Sequence, residues 1–111
     1  MKDIIIRGGE NISAQEVEAA CYAHPSVSEA SVFGVPDERL GEVPAAVIYC
    51  ETDRQLDPEE LLGFLHERLA AFKLPAHIWF WHEPLPKLGT GKIDKVALRN
   101  KYRQELAGKA A

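Results

Sequence analysis

The sequence of 111 residues predicts an α+β fold, with a small sheet of about three main strands packed against helices and an N-terminal β-hairpin. Strand-like and amphipathic helical stretches follow one another in the order strand, helix, strand, strand, helix, strand, helix. Each helical stretch begins at a residue that can cap it, and glycines and prolines separate the elements. With 46% hydrophobic and 27% charged residues, the composition is that of one globular domain with one core.

The first element is a β-branched run at residues 2–7, which Gly8 and Gly9 then interrupt. This pattern predicts a hairpin or a sharp reversal of the chain. Paired glycines adopt positive φ, and they also let another molecule approach the backbone closely. The two glycines therefore fit either a tight turn or the wall of a ligand channel. From the residues alone, the turn is favoured.

The first helix has a full set of start signals and is predicted at residues 14–23. Ser13 is its N-cap, and Glu16 completes a capping box. Ile12 and Val17 are placed to form a hydrophobic staple across the first turn. Its inward stripe consists of Val17, Ala20 and Cys21.

Two strands are predicted after this helix, at residues 27–35 and 43–51. Pro36 and Asp37 predict a turn directly after the first of them. The two strands are therefore expected to pair with each other.

The second helix is capped by Asp57 and has Pro58 at its first position. We expect it to end near Phe72, because Pro75 disfavours the helical conformation in Leu74. The residues of its apolar stripe are Leu61, Leu65, Leu69 and Phe72.

A short aromatic strand is predicted at residues 77–82. Trp79 and Trp81 lie on one face of it, and we expect this face to join the core and not to stack on a nucleotide. Asp94 caps a last helix, whose inward stripe is Leu98, Tyr102 and Leu106.

Charge is unevenly distributed, since residues 84–111 contain seven basic and two acidic side chains, whereas residues 1–83 contain six and fifteen. The aromatic residues are not interleaved with the basic ones, so we expect no nucleic acid partner. The apolar runs are too short for a transmembrane segment, and the N-terminal run does not fit a secretory signal. A cytoplasmic protein is therefore expected.

The cysteines and histidines do not form a metal-binding pattern. Cys21 and Cys50 each lie in an apolar stretch, which predicts buried free thiols. The spacings of the four histidines match no metal template, so no metal ligand is predicted in this chain.

A loop at residues 83–95 carries the most specific pattern in the chain. Two glycines flank Thr90, and Lys92 follows at the tip, where its ammonium can reach an anion held elsewhere. The loop is not a phosphate-binding Walker motif, because Pro86 replaces its first glycine and Ile93 replaces its metal-binding hydroxyl. Taken alone, the pattern also fits an ordinary glycine turn with a solvated lysine.

Two segments together resemble the C-terminal domain of acyl-CoA synthetases in the adenylate-forming superfamily. The first is Lys-Asp-Ile-Ile-Ile-Arg-Gly-Gly-Glu-Asn-Ile-Ser at residues 2–13, followed by Glu-Val-Glu at residues 16–18. The second is Leu-Pro-Lys-Leu-Gly-Thr-Gly-Lys-Ile-Asp-Lys at residues 85–95. Their order and spacing extend the resemblance over essentially the whole chain.

The resemblance implies a two-step ligase that uses ATP, CoA and Mg²⁺. A carboxylic acid and ATP give an acyl-adenylate and pyrophosphate, and the CoA thiol then displaces AMP. Lys92 matches the catalytic lysine that bridges the carboxylate and the nucleotide in the first step. Gly8, Gly9 and Glu10 match the loop that replaces it in the second step and forms part of the pantetheine tunnel, and Lys2 matches the hinge.

The resemblance also implies that residues 1–111 form the mobile C-terminal domain of a longer enzyme. Its partner would be an N-terminal adenylation domain that binds the acid, Mg²⁺ and most of the ATP, so the isolated chain is expected to be inactive. Two alternatives stay open: a stand-alone interaction module with this fold, and a domain that loads a carrier protein. Peptide synthetases, which load carriers, usually have an arginine near the position of Asn11.

Overall fold

The computed structural model describes residues 3–51 and 55–110. These residues form a five-stranded sheet, three α-helices and one short 3₁₀-helix. The elements, in chain order, are β1 (Ile4–Arg7), β2 (Glu10–Ser13), α1 (Ala14–Tyr22), β3 (Glu29–Asp37), β4 (Gly41–Tyr49), α2 (Pro58–His66), the 3₁₀-helix (Ala71–Lys73), β5 (His77–Trp81) and α3 (Lys95–Ala110).

The sheet consists of three longer strands and the N-terminal hairpin, which confirms the predicted α+β class. β3 and β4 pair along their whole length in antiparallel register, and β5 pairs with β4 in parallel. β1 and β2 form the antiparallel hairpin, which joins β4 where Arg7 pairs with Gly41.

Two apolar clusters lie on opposite faces of the sheet, where the sequence predicted one core. Ala30 and Val32 of β3 belong to the first cluster, with β1, α1 and α2. Phe33 and Val35 belong to the second cluster, with α3 and the loop after β5. Consecutive side chains of a strand point to opposite faces, so β3 and β4 are buried on both sides.

The outer edge of β3 is covered by side chains from both helix layers. A Glu18 carboxylate oxygen accepts a hydrogen bond from the Val32 amide at 2.8 Å. The Arg103 guanidinium donates to the Gly34 carbonyl through Nε at 3.0 Å and Nη2 at 2.9 Å. These contacts satisfy backbone groups that an exposed edge strand would leave open.

All three predicted helix starts are confirmed by their caps. The Ser13 hydroxyl accepts from the Glu16 amide at 3.2 Å, and the Asp57 carboxylate accepts from the Glu60 amide at 2.8 Å. Asp94 accepts from the amide three residues later, in the first turn of α3, at 3.1 Å.

The predicted end of α2 near Phe72 is wrong, because the helix ends at His66. Leu69 still donates its amide to the Leu65 carbonyl, but Ala70 then adopts φ −59° and ψ 147° and leaves the helical path. Phe72, in the 3₁₀-helix that follows, packs against the first cluster. No glycine or proline marks this break, so tertiary packing decides it.

The predicted pair of central strands is correct, but each bound is shifted by two residues. Pro36 and Asp37 belong to β3, where they pair with Glu42 and Gly41. The turn comes later because the Asp37 carboxylate accepts from the Leu40 amide at 2.9 Å. Proline is tolerated in β3 because this is an edge strand.

The two tryptophans of β5 pack on the core side, as predicted. The Trp79 ring stacks on the Tyr102 ring, with centroids 3.9 Å apart, and Trp81 Nε1 donates to the Tyr102 hydroxyl at 2.8 Å. Both tryptophans are half-buried, and they tie β5 to α3.

Within residues 3–51 and 55–110, every helix is too short or too polar to cross a membrane.

Candidate functional site

Lys92 lies in a closed turn, which we call the Lys92 loop (residues 87–93). The first and last residues of the loop pair as an antiparallel bridge. Inside it, the Leu88 amide donates to the Lys92 carbonyl at 2.7 Å, and the Gly91 amide donates to the Leu88 carbonyl at 2.9 Å. Gly91 has φ +92°, a conformation that favours glycine. The backbone of Lys92 is therefore held in place while its side chain is exposed, as the sequence predicted.

The carboxylate of Glu29, at the start of β3, fastens the base of this loop. One of its oxygens accepts from the Leu85 amide at 2.8 Å, and the other lies 2.7 Å from Lys87 Nζ. Lys87 Nζ also donates to the Leu85 carbonyl at 2.7 Å. Leu85 itself is buried in the second cluster. The segment that enters the Lys92 loop is thus fixed by both charge and packing.

A second set of ion pairs follows the loop, and we call it the Lys95 clamp (Asp3, Glu18 and Lys95). Lys95 Nζ lies 2.6 Å from a Glu18 oxygen and 2.9 Å from an Asp3 oxygen. Burial lowers the pKa of Lys95, but its hydrogen bonds and charge interactions with Glu18 and Asp3 outweigh this, so the pKa is raised overall. Lys95 therefore stays protonated and joins three parts of the fold.

Lys92 differs from the other lysines whose side chains the structure describes. Each of the others lies within 4 Å of a carboxylate; the pairs are Lys73 with Glu16, Lys87 with Glu29, Lys95 with Glu18 and Asp3, and Lys101 with Glu105. Lys92 has no carboxylate partner within the described residues. Its ammonium is thus free to bind an anion from outside this part of the chain.

Gly8 and Gly9 form the two-residue turn of the β1–β2 hairpin, with φ values of +55° and +87°. Positive φ at both positions is the requirement of a type I′ turn, so the predicted turn is confirmed. A Cβ on Gly8 would lie 3.1 Å from the Leu40 side chain, whereas a Cβ on Gly9 would meet nothing within 4 Å. Glu10 is exposed beside the turn. Gly9 therefore presents bare backbone to the solvent.

The structure places the candidate residues on two separate loops. Gly8, Gly9 and Glu10 share the hairpin turn, and Lys92 lies on the other loop. Lys2, the predicted hinge, lies outside the described residues. The Lys95 clamp starts one residue after it, at Asp3.

The cysteines and acidic residues offer no metal centre in the described residues, where no group of three or more His, Cys, Asp and Glu side chains could hold an ion. Cys21 is buried, and burial followed by the charge of Glu18 raises its pKa to about 12. Cys50 is half-buried, and burial raises its pKa as well. Neither has a disulfide partner.

Comparison with known protein families identifies the family to which the chain belongs. Residues 16–92 match the family model described as the AMP-binding enzyme C-terminal domain. The chain belongs to this family.

The chain is similar to several CoA ligases and CoA synthetases. The chain is 45% identical to a probable CoA ligase of Humulus lupulus, over 88% of the chain and 18% of that protein. It is 44% identical to a feruloyl-CoA synthase of an Amycolatopsis species, over 92% of the chain and 21% of that protein. A solved Mycobacterium tuberculosis fatty acyl CoA synthetase superposes with a TM-score of 0.84 at 38% identity, over 93% of this chain and 20% of that one. The chain thus spans about a fifth of the length of these proteins.

The sequence predicted the exposed side chain of Lys92 and the turn at Gly8 and Gly9, but not the residues that hold the Lys92 loop. Glu29 and the Lys95 clamp work across long stretches of sequence, since Lys95 and Asp3 are 92 positions apart. The local sequence contained one indication of the clamp, which is that Lys95 lies three residues after Lys92.

Proposed function

We propose that this chain is the mobile C-terminal domain of an ATP-dependent acid–CoA ligase. In this proposal the enzyme converts a carboxylic acid and ATP into an acyl-adenylate and pyrophosphate, and it then transfers the acyl group to the thiol of CoA. The family and its CoA ligase relatives support this assignment. The acid is chosen by the preceding adenylation domain, and we place the enzyme in the cytoplasm.

The observation that carries the proposal is the exposed ammonium of Lys92, which has no carboxylate partner within the described residues, on a loop with a fixed base. In the first step two anions, the carboxylate and the α-phosphate region of ATP, must come together. A cation held between them offsets their repulsion and stabilises the charge that develops in the transition state. Lys92 is suited to this role because no carboxylate in the described residues neutralises it.

For the second step we propose that a rotation at Lys2 exchanges the Lys92 loop for the turn of Gly8 and Gly9. The open backbone of Gly9 leaves room for the narrow pantetheine arm of CoA, and Glu10 lies beside its path. The described residues do not fit a Mg²⁺ site, so we assign Mg²⁺ and most ATP contacts to the adenylation domain.

The first test replaces Lys92 in the full-length ligase. Lys92→Ala should slow acyl-adenylate formation at least ~10²-fold, the usual effect of losing one electrostatic stabiliser. Supplied with preformed acyl-adenylate, the same variant should still make thioester at the wild-type rate. Single-turnover kinetics of each half-reaction measures both. Lys101→Ala, which removes an exposed lysine on α3 and not in the Lys92 loop, is the matched control and should change neither.

The reciprocal variant is Gly9→Leu, which should slow thioester formation and leave adenylation intact. Because Gly9 has φ +87°, a leucine there also strains the turn. Gly9→Asn separates obstruction of the pantetheine path from strain in the turn, because asparagine tolerates positive φ better than leucine does. This variant should have an intermediate effect. Equal losses in both half-reactions for Lys92→Ala and Gly9→Leu would contradict the division of labour between the loops.

The same assay distinguishes the two alternatives. A domain that loads a carrier protein would transfer the acyl group to carrier pantetheine much faster than to free CoA. A stand-alone interaction module would have no adenylation domain joined to it in the native protein, and no acyl-adenylate would form.

A further inference from the structure

The Lys95 clamp connects the Lys92 loop to the strand that follows the proposed hinge, and the inference drawn from it rests on the proposed function. Lys95 is the first residue of α3, three positions after Lys92. Its ammonium contacts Asp3 at 2.9 Å and Glu18 at 2.6 Å. Asp3 is the residue next to Lys2. One side chain therefore spans the gap between the end of the loop and the beginning of the domain.

The clamp is built from partners that are themselves fixed. The Glu18 oxygen that contacts Lys95 also accepts from the Val32 amide at 2.8 Å, so its position is set by the edge of β3. The backbone carbonyl of Asp3 accepts from the Ala14 amide at 2.9 Å, which sets its position at the start of α1. The side chains of Lys95 and Glu18 are 26% and 19% exposed, so solvent screens this pair less than a surface pair.

The two candidate loops depend on this clamp to different degrees. The turn of Gly8 and Gly9 follows Asp3 directly through β1, so the chain itself fixes its distance from the hinge. The Lys92 loop lies about ninety positions further along the chain. Its placement relative to the hinge depends on contacts across the fold: Glu29 holds the segment that enters the loop, and the Lys95 clamp links the segment that leaves it to Asp3.

We propose that Lys95 is a positioning residue for adenylation: through Asp3 and Glu18 it fixes the Lys92 loop relative to the hinge. Rotation of the domain then delivers the Lys92 ammonium to one place. Without the clamp the first turn of α3 and the end of the loop that carries Lys92 shift, although Glu29 still holds the base of the loop, and Lys92 misses the meeting point of carboxylate and phosphate. Displacements of about 1 Å at a catalytic group cost up to ~10²-fold in rate.

The test compares Lys95→Met and Lys95→Arg in the full-length ligase. Methionine keeps the apolar length of the side chain and removes the charge. We expect Lys95→Met to lower the rate constant of acyl-adenylate formation at least ~10-fold, with the KM for ATP and the thioester half-reaction within ~2-fold of wild type. Lys95→Arg keeps the charge and should recover most of the adenylation rate. Lys101→Met, the loss of an exposed lysine on the same helix, should match wild type.

A double-mutant cycle tests whether Asp3 is the partner. Asp3→Asn leaves the hydrogen bond from the Ala14 amide intact, because the acceptor of that bond is the backbone carbonyl of Asp3. If the pair acts as a unit, Asp3→Asn should slow adenylation by itself, and combining it with Lys95→Met should add little. Fully additive effects of the two substitutions would overturn the assignment of Asp3.

The outcomes separate this inference from the proposed function. If Lys92→Ala slows adenylation selectively and Lys95→Met behaves as wild type, the positioning role is wrong and the proposed function stands. If Lys92→Ala leaves adenylation unchanged, the proposed function is wrong. If Lys95→Met slows both half-reactions equally and lowers the melting temperature in proportion, Lys95 has only a structural role, and the inference is overturned.

Discussion

At the scale of single residues, burial sets the reactivity of the two cysteines. Cys21 lies on the inner face of α1 and is fully buried, and its pKa is raised to about 12 by burial and, to a smaller extent, by Glu18. Cys50 follows β4 and is half-buried, and burial raises its pKa too. The thiolate is the reactive form, so a raised pKa and a closed environment both protect a cysteine.

We therefore expect iodoacetamide at about pH 8 to alkylate Cys50 well before Cys21 in the folded chain. The folded pKa of Cys21 lies above the ordinary thiol value, so this side chain stays protonated as the pH rises through the range where an unfolded cysteine ionises. Peptide mapping by mass spectrometry over time measures both rates. In guanidinium the two cysteines should react alike, and equal rates in the folded chain would contradict the burial of Cys21.

The sequence could identify Lys92 but not the side chains that surround it. Its exposure follows from local chemistry, since flanking glycines and prolines make a turn and the lysine stands at its tip. That no carboxylate in residues 3–51 and 55–110 pairs with Lys92 could not be predicted, because it depends on which acidic side chains the fold brings near it. The same holds for Glu29, whose partners Leu85 and Lys87 are more than fifty positions away.

At the scale of elements, the Glu29 carboxylate is one of the groups that hold the Lys92 loop in place. Glu29→Ala would leave the Leu85 amide without its acceptor and Lys87 without its ion-pair partner. We expect this change to lower the free energy of unfolding by about 1–3 kcal/mol, the usual cost of removing a charged hydrogen-bond partner from a partly buried site. Urea denaturation of the chain measures the loss, and hydrogen exchange should show faster exchange at the Leu88 and Gly91 amides.

The control for this prediction is Glu105→Ala, which removes the exposed i,i+4 partner of Lys101 on α3. Exposed pairs of this kind contribute little to stability, so this variant should unfold at the wild-type urea concentration. A Glu29→Ala chain that matched it in both stability and exchange would show that packing of Leu85 alone holds the loop.

Element starts were easier to predict from the sequence than element ends. The starts of the three helices could be predicted because an N-cap is a local interaction between a side chain and the next turn. The caps are Ser13, Asp57 and Asp94. The end of α2 at His66 and the turn after Asp37 were missed. The first depends on how Phe72 packs, and the second on an edge position that tolerates proline, so both are set by tertiary structure.

At the scale of the whole molecule, the α+β class followed from the order of elements. The pairing of β5 with β4, in parallel, and the division of the core into two clusters did not. Strand pairing is decided by which apolar faces fit together over long distances in the chain. Trp79 illustrates this, since its burial was predicted but its stacking partner Tyr102 was not.

The share of its relatives' length that this chain spans leads to the last prediction. The chain spans about a fifth of the length of its CoA ligase relatives, and the described residues contain no metal site. In the proposed function, Lys92 and the turn of Gly8 and Gly9 complete an active site, while the adenylation domain binds the acid, Mg²⁺ and most of the ATP. We therefore expect the purified chain to fold and yet to release no pyrophosphate from ATP with any carboxylic acid.

A coupled pyrophosphate assay on the purified 111-residue chain, with circular dichroism to confirm that it is folded, measures this. The full-length ligase assayed with the same acids is the positive control. The same ligase truncated before Asp3 should lose adenylation, because it lacks Lys92, and should lose thioester formation, because it lacks Gly8 and Gly9. Turnover by the isolated chain at a rate near that of the full-length ligase would mean that residues of this domain bind ATP and the acid by themselves, and the division of labour between two domains would then be wrong.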